Sequence, residues 1–300
     1  MPSEIPLSKK LAAEFVAMTL FVWIGCGTAV SSQSIDVIKD SQGTYAAFLL
    51  TTSLAFGTAI AVLAYSIAPV SGGHINPAVT TSLLLLGEIP ILDAAAYIAT
   101  QFVAAILGAA LVWGTMKHSI VEDVQGGNPP FLVGVNTVDS GISIGAAFLL
   151  EFLGTFLLVW TVCMTAVSKS SIAANIAPIA IGWSVFLAHL CLIPFTGCGI
   201  NPARVLGPMI LIFSQGDALP ADGFTGWWIY YTAPFVGGAF AAIIYKFIFE
   251  VPEEDDSDQP DVEQAIKSKR GDTVKGLGSD SGSDEGRKRD AWSRVVNDRY

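Results

Sequence analysis

The sequence predicts an all-α membrane protein: six transmembrane helices plus two re-entrant half-helices, arranged as an inverted repeat. Three observations carry this prediction. Charge is sparse over the first 250 residues, six apolar segments are long enough to cross a bilayer, and the turn Ile-Asn-Pro-Ala occurs twice. A crossing helix needs about 20 mostly apolar residues, whereas about a quarter of the residues of a soluble domain are charged.

The charged residues are concentrated at the C-terminal end. Of the 300 residues, 52% are hydrophobic and 14% are charged. Residues 251–300 contain 13 acidic and 9 basic side chains, which leaves 20 charged side chains in residues 1–250. Such a segment must bury most of its surface in an apolar medium, and the lipid bilayer is the simplest one. The net charge of −10, without a dense basic patch, argues against a nucleic-acid partner.

Six apolar segments have the length of a span: 11–30, 45–67, 94–116, 143–166, 174–194 and 228–250. The first lacks a small-residue cleavage site, so we expect it to be retained as a span. Two further apolar runs, 77–86 and 202–213, are too short to cross. Each starts with a proline directly after an asparagine, and proline is well tolerated at the first position of a helix.

The two halves of the chain resemble one another. Residues 71–78 match residues 196–203 position by position, and Glu14-Phe15 and Glu151-Phe152 each lead to a Trp and a Cys at equal spacings. Because each half has three spans, the second half must enter the membrane upside down relative to the first. Short interrupted segments in matching places of two halves indicate a transport site. We therefore expect the two half-helices to meet near the middle of the membrane.

These features predict three parts: a cytoplasmic N-terminus (1–10), a channel domain (11–250, with repeats 11–116 and 143–250) and a tail (251–300). The tail is polar and rich in Gly and Ser, so we expect it to be disordered. Serines beside acidic residues are candidates for phosphorylation, the alternative being a solvated tail with no switch. They are Ser257, Ser279, Ser281 and Ser283.

The distribution of lysines predicts the orientation. Lys9, Lys10, Lys169 and Lys246 would lie on one side of the membrane, and the opposite loops are mostly acidic. Because Lys and Arg are enriched in cytoplasmic loops, both termini are predicted to be cytoplasmic. The four cysteines form no paired framework, so we expect no structural disulfide. No metal or cofactor site is visible in the sequence.

The two stretches before the half-helices predict a pore. Irregular backbone at membrane depth is tolerated only where it is buried or lines a wet cavity. The carbonyl groups of these stretches would form a ladder of acceptors, and they belong to Gly72, Gly73, His74, Ile75, Gly197, Gly199 and Ile200. Asn76 and Asn201 lie at helix N-termini, where partial positive charge repels cations. The arrangement is a physical route for passing water while excluding protons and ions.

Over about residues 8–250 the chain resembles the aquaporin family, also called the major intrinsic proteins. The twin motifs carry the resemblance: Asn76-Pro77-Ala78 and Asn201-Pro202-Ala203 in a six-span chain. The resemblance implies six tilted helices, two half-helices that meet at the motifs, water as the permeant, and a homotetramer with one pore per subunit.

The resemblance also implies a narrow selectivity filter formed by four side chains. The matching residues here are Phe56, His189, Cys198 and Arg204. Together they resemble the filter of the water-selective class, because glycerol-passing members have a small residue in place of the histidine. Val205 and Met209 depart from the water-type pattern after the second motif.

Several of these residues have a structural alternative. Arg204 facing lipid would cost about 2.5–3.5 kcal/mol, so we expect it to face the pore. His189 could instead be a satisfied core histidine, and Cys198 could be either a plain wall residue or a thiol reached from the pore. Glu14 and Glu151 invite a proton-relay interpretation, but their symmetric placement favours a role in supporting the re-entrant loops.

The sequence therefore predicts a passive water channel of the plasma membrane, not an enzyme. One alternative is a wider pore for glycerol, urea, hydrogen peroxide or ammonia. Another is a poorly conducting junction or scaffold protein with the same fold. A coupled secondary transporter is disfavoured, because the glutamates are symmetric and no central ion cluster is visible.

Overall fold

A computed structural model describes residues 5–35, 43–121, 133–172, 174–215 and 225–251, and within these ranges the regular structure is entirely helical. Six helices there are long and apolar enough to cross a membrane, which confirms the predicted fold class. The helices are α1 (Leu7–Ile35), α2 (Gly43–Ser71), α3 (Pro77–Leu85), α4 (Ile91–Val121), α5 (Ile144–Val162), α6 (Ala177–Thr196), α7 (Pro202–Gln215) and α8 (Ile229–Ile244). One π-helical turn follows each of α5 and α8, at Cys163–Val167 and Tyr245–Phe249.

Hydropathy located the spans well but not their ends. Helix α1 begins at Leu7 and not near residue 11, and α2 continues through Pro69 to Ser71. The first difference arises because Lys9 and Lys10 are helical although they are polar. Apolar length reports the part of a helix that contacts lipid, whereas the helix continues into the polar boundary of the membrane.

The two short helices begin where their prolines predict. Pro77 opens α3 and Pro202 opens α7, so the missing N–H falls among the first-turn groups that have no intrahelical partner. The preceding asparagines cap them: Asn76 Oδ1 accepts from the backbone N–H of Ala78 at 2.8 Å, and Asn201 Oδ1 accepts from that of Ala203 at 3.1 Å. A cap of this kind is worth about 1 kcal/mol.

The packing of the helices follows the repeat. In the first half α1 contacts α2 and α4, and in the second half α5 contacts α6 and α8. Each short helix packs against the last long helix of the opposite half, since α7 contacts α4 and α3 contacts α8. This exchange ties the halves together around the centre of the molecule.

The two halves approach closely where α2 crosses α6. A Cβ added to Gly57 would lie 2.8 Å from the carbonyl oxygen of Gly182, and one added to Gly182 would lie 2.5 Å from that of Gly57. Small residues allow such backbone contact between helices in membranes. Large apolar side chains on the outside of the bundle, such as Val62, Leu187 and Phe240, are exposed in the single chain.

Some sequence-based predictions fall outside the described residues. The candidate phosphorylation sites Ser257, Ser279, Ser281 and Ser283 belong to this group, as does the whole tail beyond Val251.

Candidate functional site

The two asparagines of the repeated motif connect the halves of the molecule. Asn76 Nδ2 donates to the carbonyl oxygen of Ile200 at 2.9 Å, and Asn201 Nδ2 donates to that of Ile75 at 2.8 Å. Both asparagines are almost fully buried. An asparagine amide has two N–H donors, and each of these bonds uses one, so one donor per residue remains for a permeant. The N-termini of α3 and α7 are thereby held facing the same region.

The loops before the half-helices have a strained backbone. Gly72, Gly73 and Gly197 have φ of +88°, +68° and +69°. Non-glycine residues adopt the same left-handed region at Ile75 (φ 51°), Cys198 (φ 57°) and Ile200 (φ 43°). Each such residue costs of order 1–3 kcal/mol, so the surrounding structure must hold it in place.

Two buried glutamates hold these loops. Glu14 accepts from the backbone N–H groups of His74 at 2.9 Å and Ile75 at 2.8 Å. Glu151 accepts from those of Gly199 at 2.8 Å and Ile200 at 2.7 Å. Charge-assisted bonds to backbone N–H groups are about twice as strong as neutral ones. This geometry fits the predicted support role for both carboxylates.

Further pairs of residues repeat the same scheme. Ser71 Oγ donates to Glu14 at 2.8 Å, and Thr196 Oγ1 donates to Glu151 at 2.6 Å. Two tyrosines bind the last residue of the long helix that precedes each loop, which is α2 in the first half and α6 in the second. Tyr97 Oη donates to the carbonyl of Ser71 at 2.9 Å, and Tyr230 Oη donates to that of Thr196 at 2.7 Å.

The first loop has polar contacts that the second lacks. Gln101 Nε2 donates to Glu14 at 3.0 Å and to Thr80 Oγ1 at 3.1 Å, and Thr80 Oγ1 also lies 3.1 Å from His74 Nδ1. In the second half the repeat gives Val205 in place of Thr80 and Pro234 in place of Gln101. The contacts of Gln101 and Thr80 in the first loop therefore have no counterpart at the matching positions of the second, where Asn136 Nδ2 instead donates to the Thr196 carbonyl at 3.2 Å.

Three of the predicted filter residues form one cluster. The rings of Phe56 and His189 are stacked with centroids 4.4 Å apart, and the Arg204 guanidinium carbon lies 4.8 Å from the centroid of Phe56. His189 Nδ1 lies 2.9 Å from the carbonyl of Val185. His189 Nε2 and Arg204 Nε are buried and have no partner among the described residues. Polar atoms of this kind are what a small polar permeant would contact.

A carbonyl in the connection before α5 holds Arg204. Arg204 Nη1 donates to the carbonyl oxygen of Gly134 at 3.2 Å. Gly134 has φ of +77°, and a Cβ added there would lie 2.8 Å from Cys26 Cβ. Only a glycine fits this position without moving its neighbour. The cationic side chain is therefore held by the backbone of a loop that lies outside both repeated motifs.

Cys198, the fourth predicted filter residue, is fully buried in the single chain. Its backbone N–H donates to Thr196 Oγ1 at 3.2 Å. It does not line either of the two cavities described below. Its geometry therefore fits the wall-residue alternative better than a thiol open to the pore.

Two cavities meet at Arg204. An inner cavity of about 250 Å³ is lined by Asn76, Asn201 and His189 among others. An outer cavity of about 250 Å³ is lined by Thr52, Gly134 and Asp139 among others. Arg204 lines both of them. Arg204 thus lies where the two cavities approach one another, and His189 lies beside it in the inner cavity.

The predicted carbonyl ladder is only partly open to these cavities. Gly72, Gly73, His74, Gly199 and Ile200 line the inner cavity, and Gly197 lines the outer one. Ile75 lines neither cavity, is fully buried, and its carbonyl accepts from Asn201. For Ile75 the role of an open acceptor stays a prediction, because one of the two lone pairs of its carbonyl oxygen is used by Asn201. Its carbonyl serves to connect the two halves, and the Ile200 carbonyl serves the same purpose toward Asn76.

Sequence reasoning missed several residues of this site. The sequence pattern assigns no role to Gln101, Tyr97, Thr80, Gly134 or Thr52. A signal existed for Tyr97, which precedes Gln101 by four residues just as Tyr230 precedes Pro234. Gly134 had no such signal, because its role depends on a loop that only the folded chain brings to Arg204.

Comparisons with known proteins agree with this geometry. The family model described as Major intrinsic protein matches residues 2–245. The chain is 39% identical to Aquaporin-1 from Mus musculus over 269 residues, which covers 86% of this chain and 90% of that protein. It is 38% identical to Aquaporin PIP2-7 from Musa acuminata over 244 residues, covering 80% of each.

Among solved structures, the X-ray structure of the aquaglyceroporin from Plasmodium falciparum is similar, with a TM-score of 0.68 and 21% identity. The match covers 81% of this chain and 97% of that one. At this identity the likeness shows the fold alone. On the family match and the identity to its relatives, the chain belongs to the major intrinsic protein, or aquaporin, family.

Proposed function

We propose that this member of the family is a passive channel that conducts water along osmotic gradients and excludes ions and protons. The observation that carries the proposal is the cluster of Phe56, His189 and Arg204 between the two cavities. A pore bounded by an aromatic ring, an imidazole and a guanidinium is small and has polar edges. Water fits such an opening and finds hydrogen-bond partners in it.

The exclusion of cations rests on charge. The fixed guanidinium of Arg204 repels them at the outer constriction, and the N-termini of α3 and α7 repel them further in, where each carries about half a positive charge. Asn76 and Asn201 keep one donor each toward the permeant. A water that accepts from both asparagines cannot at the same time pass a proton along the chain of waters.

The main rival is a wider pore for glycerol or other small neutral solutes. The similar solved structure is that of an aquaglyceroporin, but the two chains share only 21% identity. The stacking of His189 on Phe56 at 4.4 Å favours water, because it fills space that a larger solute would need. Val205 departs from the water-type pattern, yet it packs with Tyr230 in a separate apolar cluster and lines neither cavity.

We further propose a plasma-membrane location, cytoplasmic termini and a homotetramer. The orientation is supported by Lys10 at the start of α1, whose Nζ lies 3.9 Å from Asp93 at the start of α4. These two helix starts therefore lie on one side of the membrane, together with the excess of lysines. A tetramer would cover part of the exposed apolar surface of the bundle, and cross-linking in native membranes tests it.

The deciding experiment is stopped-flow light scattering with proteoliposomes of the purified chain. A sucrose gradient reports water flow and a glycerol gradient reports solute entry. We expect water flow well above that of empty liposomes and glycerol entry close to theirs. Water flow at the level of bare lipid contradicts the channel, and glycerol entry comparable to that of a glycerol-conducting control contradicts the selectivity.

A further inference from the structure

Thr52 occupies a special position on α2. It lies four residues before Phe56, so the two side chains share one face of the helix about one turn apart. Thr52 lines the outer cavity together with Arg204, and it is 3% exposed in the single chain. Thr52 lies outside both repeated motifs.

The hydroxyl of Thr52 differs from other hydroxyls of the same helix. Thr51 and Thr58 donate to carbonyls of the preceding turn at 2.8 and 2.7 Å. Ser53 and Ser66 donate in the same way at 2.6 and 2.7 Å. Thr52 Oγ1 is buried and has no partner among the described residues. Leaving a buried hydroxyl unpaired costs about 1–3 kcal/mol, so a partner from the adjoining cavity is favoured.

The same situation recurs nearby. His189 Nε2 and Arg204 Nε are also buried without a partner among the described residues, and both side chains line a cavity. The residues of these three unpaired atoms line the two cavities: Thr52 the outer one, His189 the inner one and Arg204 both. In folded proteins such groups are commonly satisfied by water.

We propose that Thr52 is an outer water-binding residue of the pore, which contacts each water immediately before it reaches Arg204. The proposal rests on the water-channel function proposed above. It makes Thr52 a fifth side chain, beyond the four predicted filter residues, that determines how easily water enters the constriction.

The chemistry of the side chain explains why a hydroxyl is useful there. An arginine can only donate hydrogen bonds, whereas a hydroxyl both donates and accepts. The Gly134 carbonyl already accepts from Arg204, so only one of its two lone pairs remains for water. A water approaching Arg204 must give up bulk hydrogen bonds of both kinds. Thr52 can replace one of them as an acceptor at the moment when Arg204 begins to donate.

The test compares three variants with the wild type in proteoliposomes. Thr52→Val removes the hydroxyl and keeps the shape, and Thr52→Ser keeps the hydroxyl. Thr115→Val is the matched control, because Thr115 is exposed on α4 and its hydroxyl donates to Leu111 at 2.6 Å. The measured quantities are water permeability per channel and its activation energy. Elution profile and helical content serve as checks of folding.

We expect Thr52→Val to lower the water permeability about two- to fivefold, the effect of one lost hydrogen bond, and to raise the activation energy. Thr52→Ser and Thr115→Val should stay near the wild type. If Thr52→Val folds poorly, Thr52→Ala against Thr52→Ser gives the same comparison. Wild-type permeability for Thr52→Val, or equal losses in Thr52→Val and Thr52→Ser, overturns the proposal. If the wild type itself conducts water no faster than bare lipid, the proposed water-channel function is contradicted, which is a different outcome from failure of the Thr52 proposal.

Discussion

Asn76 Nδ2 donates to the carbonyl oxygen of Ile200, 124 positions later in the chain, at 2.9 Å. Asn201 returns the same bond to Ile75 at 2.8 Å. Each asparagine thus caps its own half-helix with its side-chain oxygen, and its side-chain nitrogen donates to a carbonyl of the loop in the opposite half. Because the bonds are reciprocal, the positions of the two helix N-termini depend on one another.

The donor and acceptor roles of Asn76 can be separated by Asn76→Asp. A carboxylate still accepts from the N–H of Ala78, but it cannot donate to Ile200. We expect the free energy of unfolding to fall by about 1–3 kcal/mol, the cost of one unpaired buried carbonyl. Proton leakage should rise, because negative charge replaces a donor between the two helix N-termini. Thermal unfolding in detergent and a pH-sensitive dye in liposomes measure the two effects.

The mirrored variant Asn201→Asp is the control for Asn76→Asp. The repeat predicts similar losses at both positions, since the Asn201 amide makes the equivalent bond. If both variants keep the free energy of unfolding and the proton permeability of the wild type, the reciprocal bonds have no role in holding the helix N-termini.

The support role of the glutamates is tested by Glu151→Gln. The glutamine amide replaces an acceptor with a donor that faces the backbone N–H of Gly199 or Ile200. We expect a clear loss of folded yield and of water flow, because the left-handed residues of that loop lose their restraint. Fluorescence-detected size exclusion measures the yield and stopped-flow scattering measures the flow.

Glu14→Gln provides the comparison within the same molecule. Glu14 also accepts from Gln101, so polar contacts remain around the first loop, and we expect a smaller loss there. Normal yield together with normal flow in Glu151→Gln argues against the support role. Normal yield with altered proton permeability points to a proton relay instead.

The loop that holds Arg204 is tested by Gly134→Ala. The added Cβ would lie 2.8 Å from Cys26 Cβ and 3.0 Å from Cys26 Sγ, so the loop must move and take its carbonyl away from Arg204. We expect lower water flow and weaker exclusion of glycerol, measured on the same liposomes. The double variant Gly134→Ala, Cys26→Ala removes the sulfur and should recover part of the loss. If Gly134→Ala alone keeps the water flow and the glycerol exclusion of the wild type, Arg204 does not need the Gly134 carbonyl.

The sequence was a good guide where the repeat or hydropathy applied. Six spans, two half-helices and the cluster of Phe56, His189 and Arg204 could all be predicted, because each depends on local pattern or on a motif. The contacts between the halves could not. That the Ile75 carbonyl is used by Asn201, and that Gly134 holds Arg204, depend on residues that only the folded chain brings together.

The placement of Cys198 shows a different limit. The resemblance places it in the filter, and this stays a prediction, because spacing along the chain does not specify the direction of a side chain. With a φ of 57° its backbone is left-handed, and the residue is fully buried. Conformations of this kind are set by surrounding contacts and not by local sequence preference.

The central claim is that His189, stacked on Phe56, restricts the pore to water, and the most direct test is His189→Gly. The glycerol and water permeabilities of wild type and variant are measured on matched proteoliposomes. Ser66→Gly is the control for the helix cost of glycine, about 1 kcal/mol, at an exposed site on α2. We predict that His189→Gly admits glycerol while water flow persists and that Ser66→Gly does not. A glycerol-to-water ratio unchanged from the wild type would contradict the account.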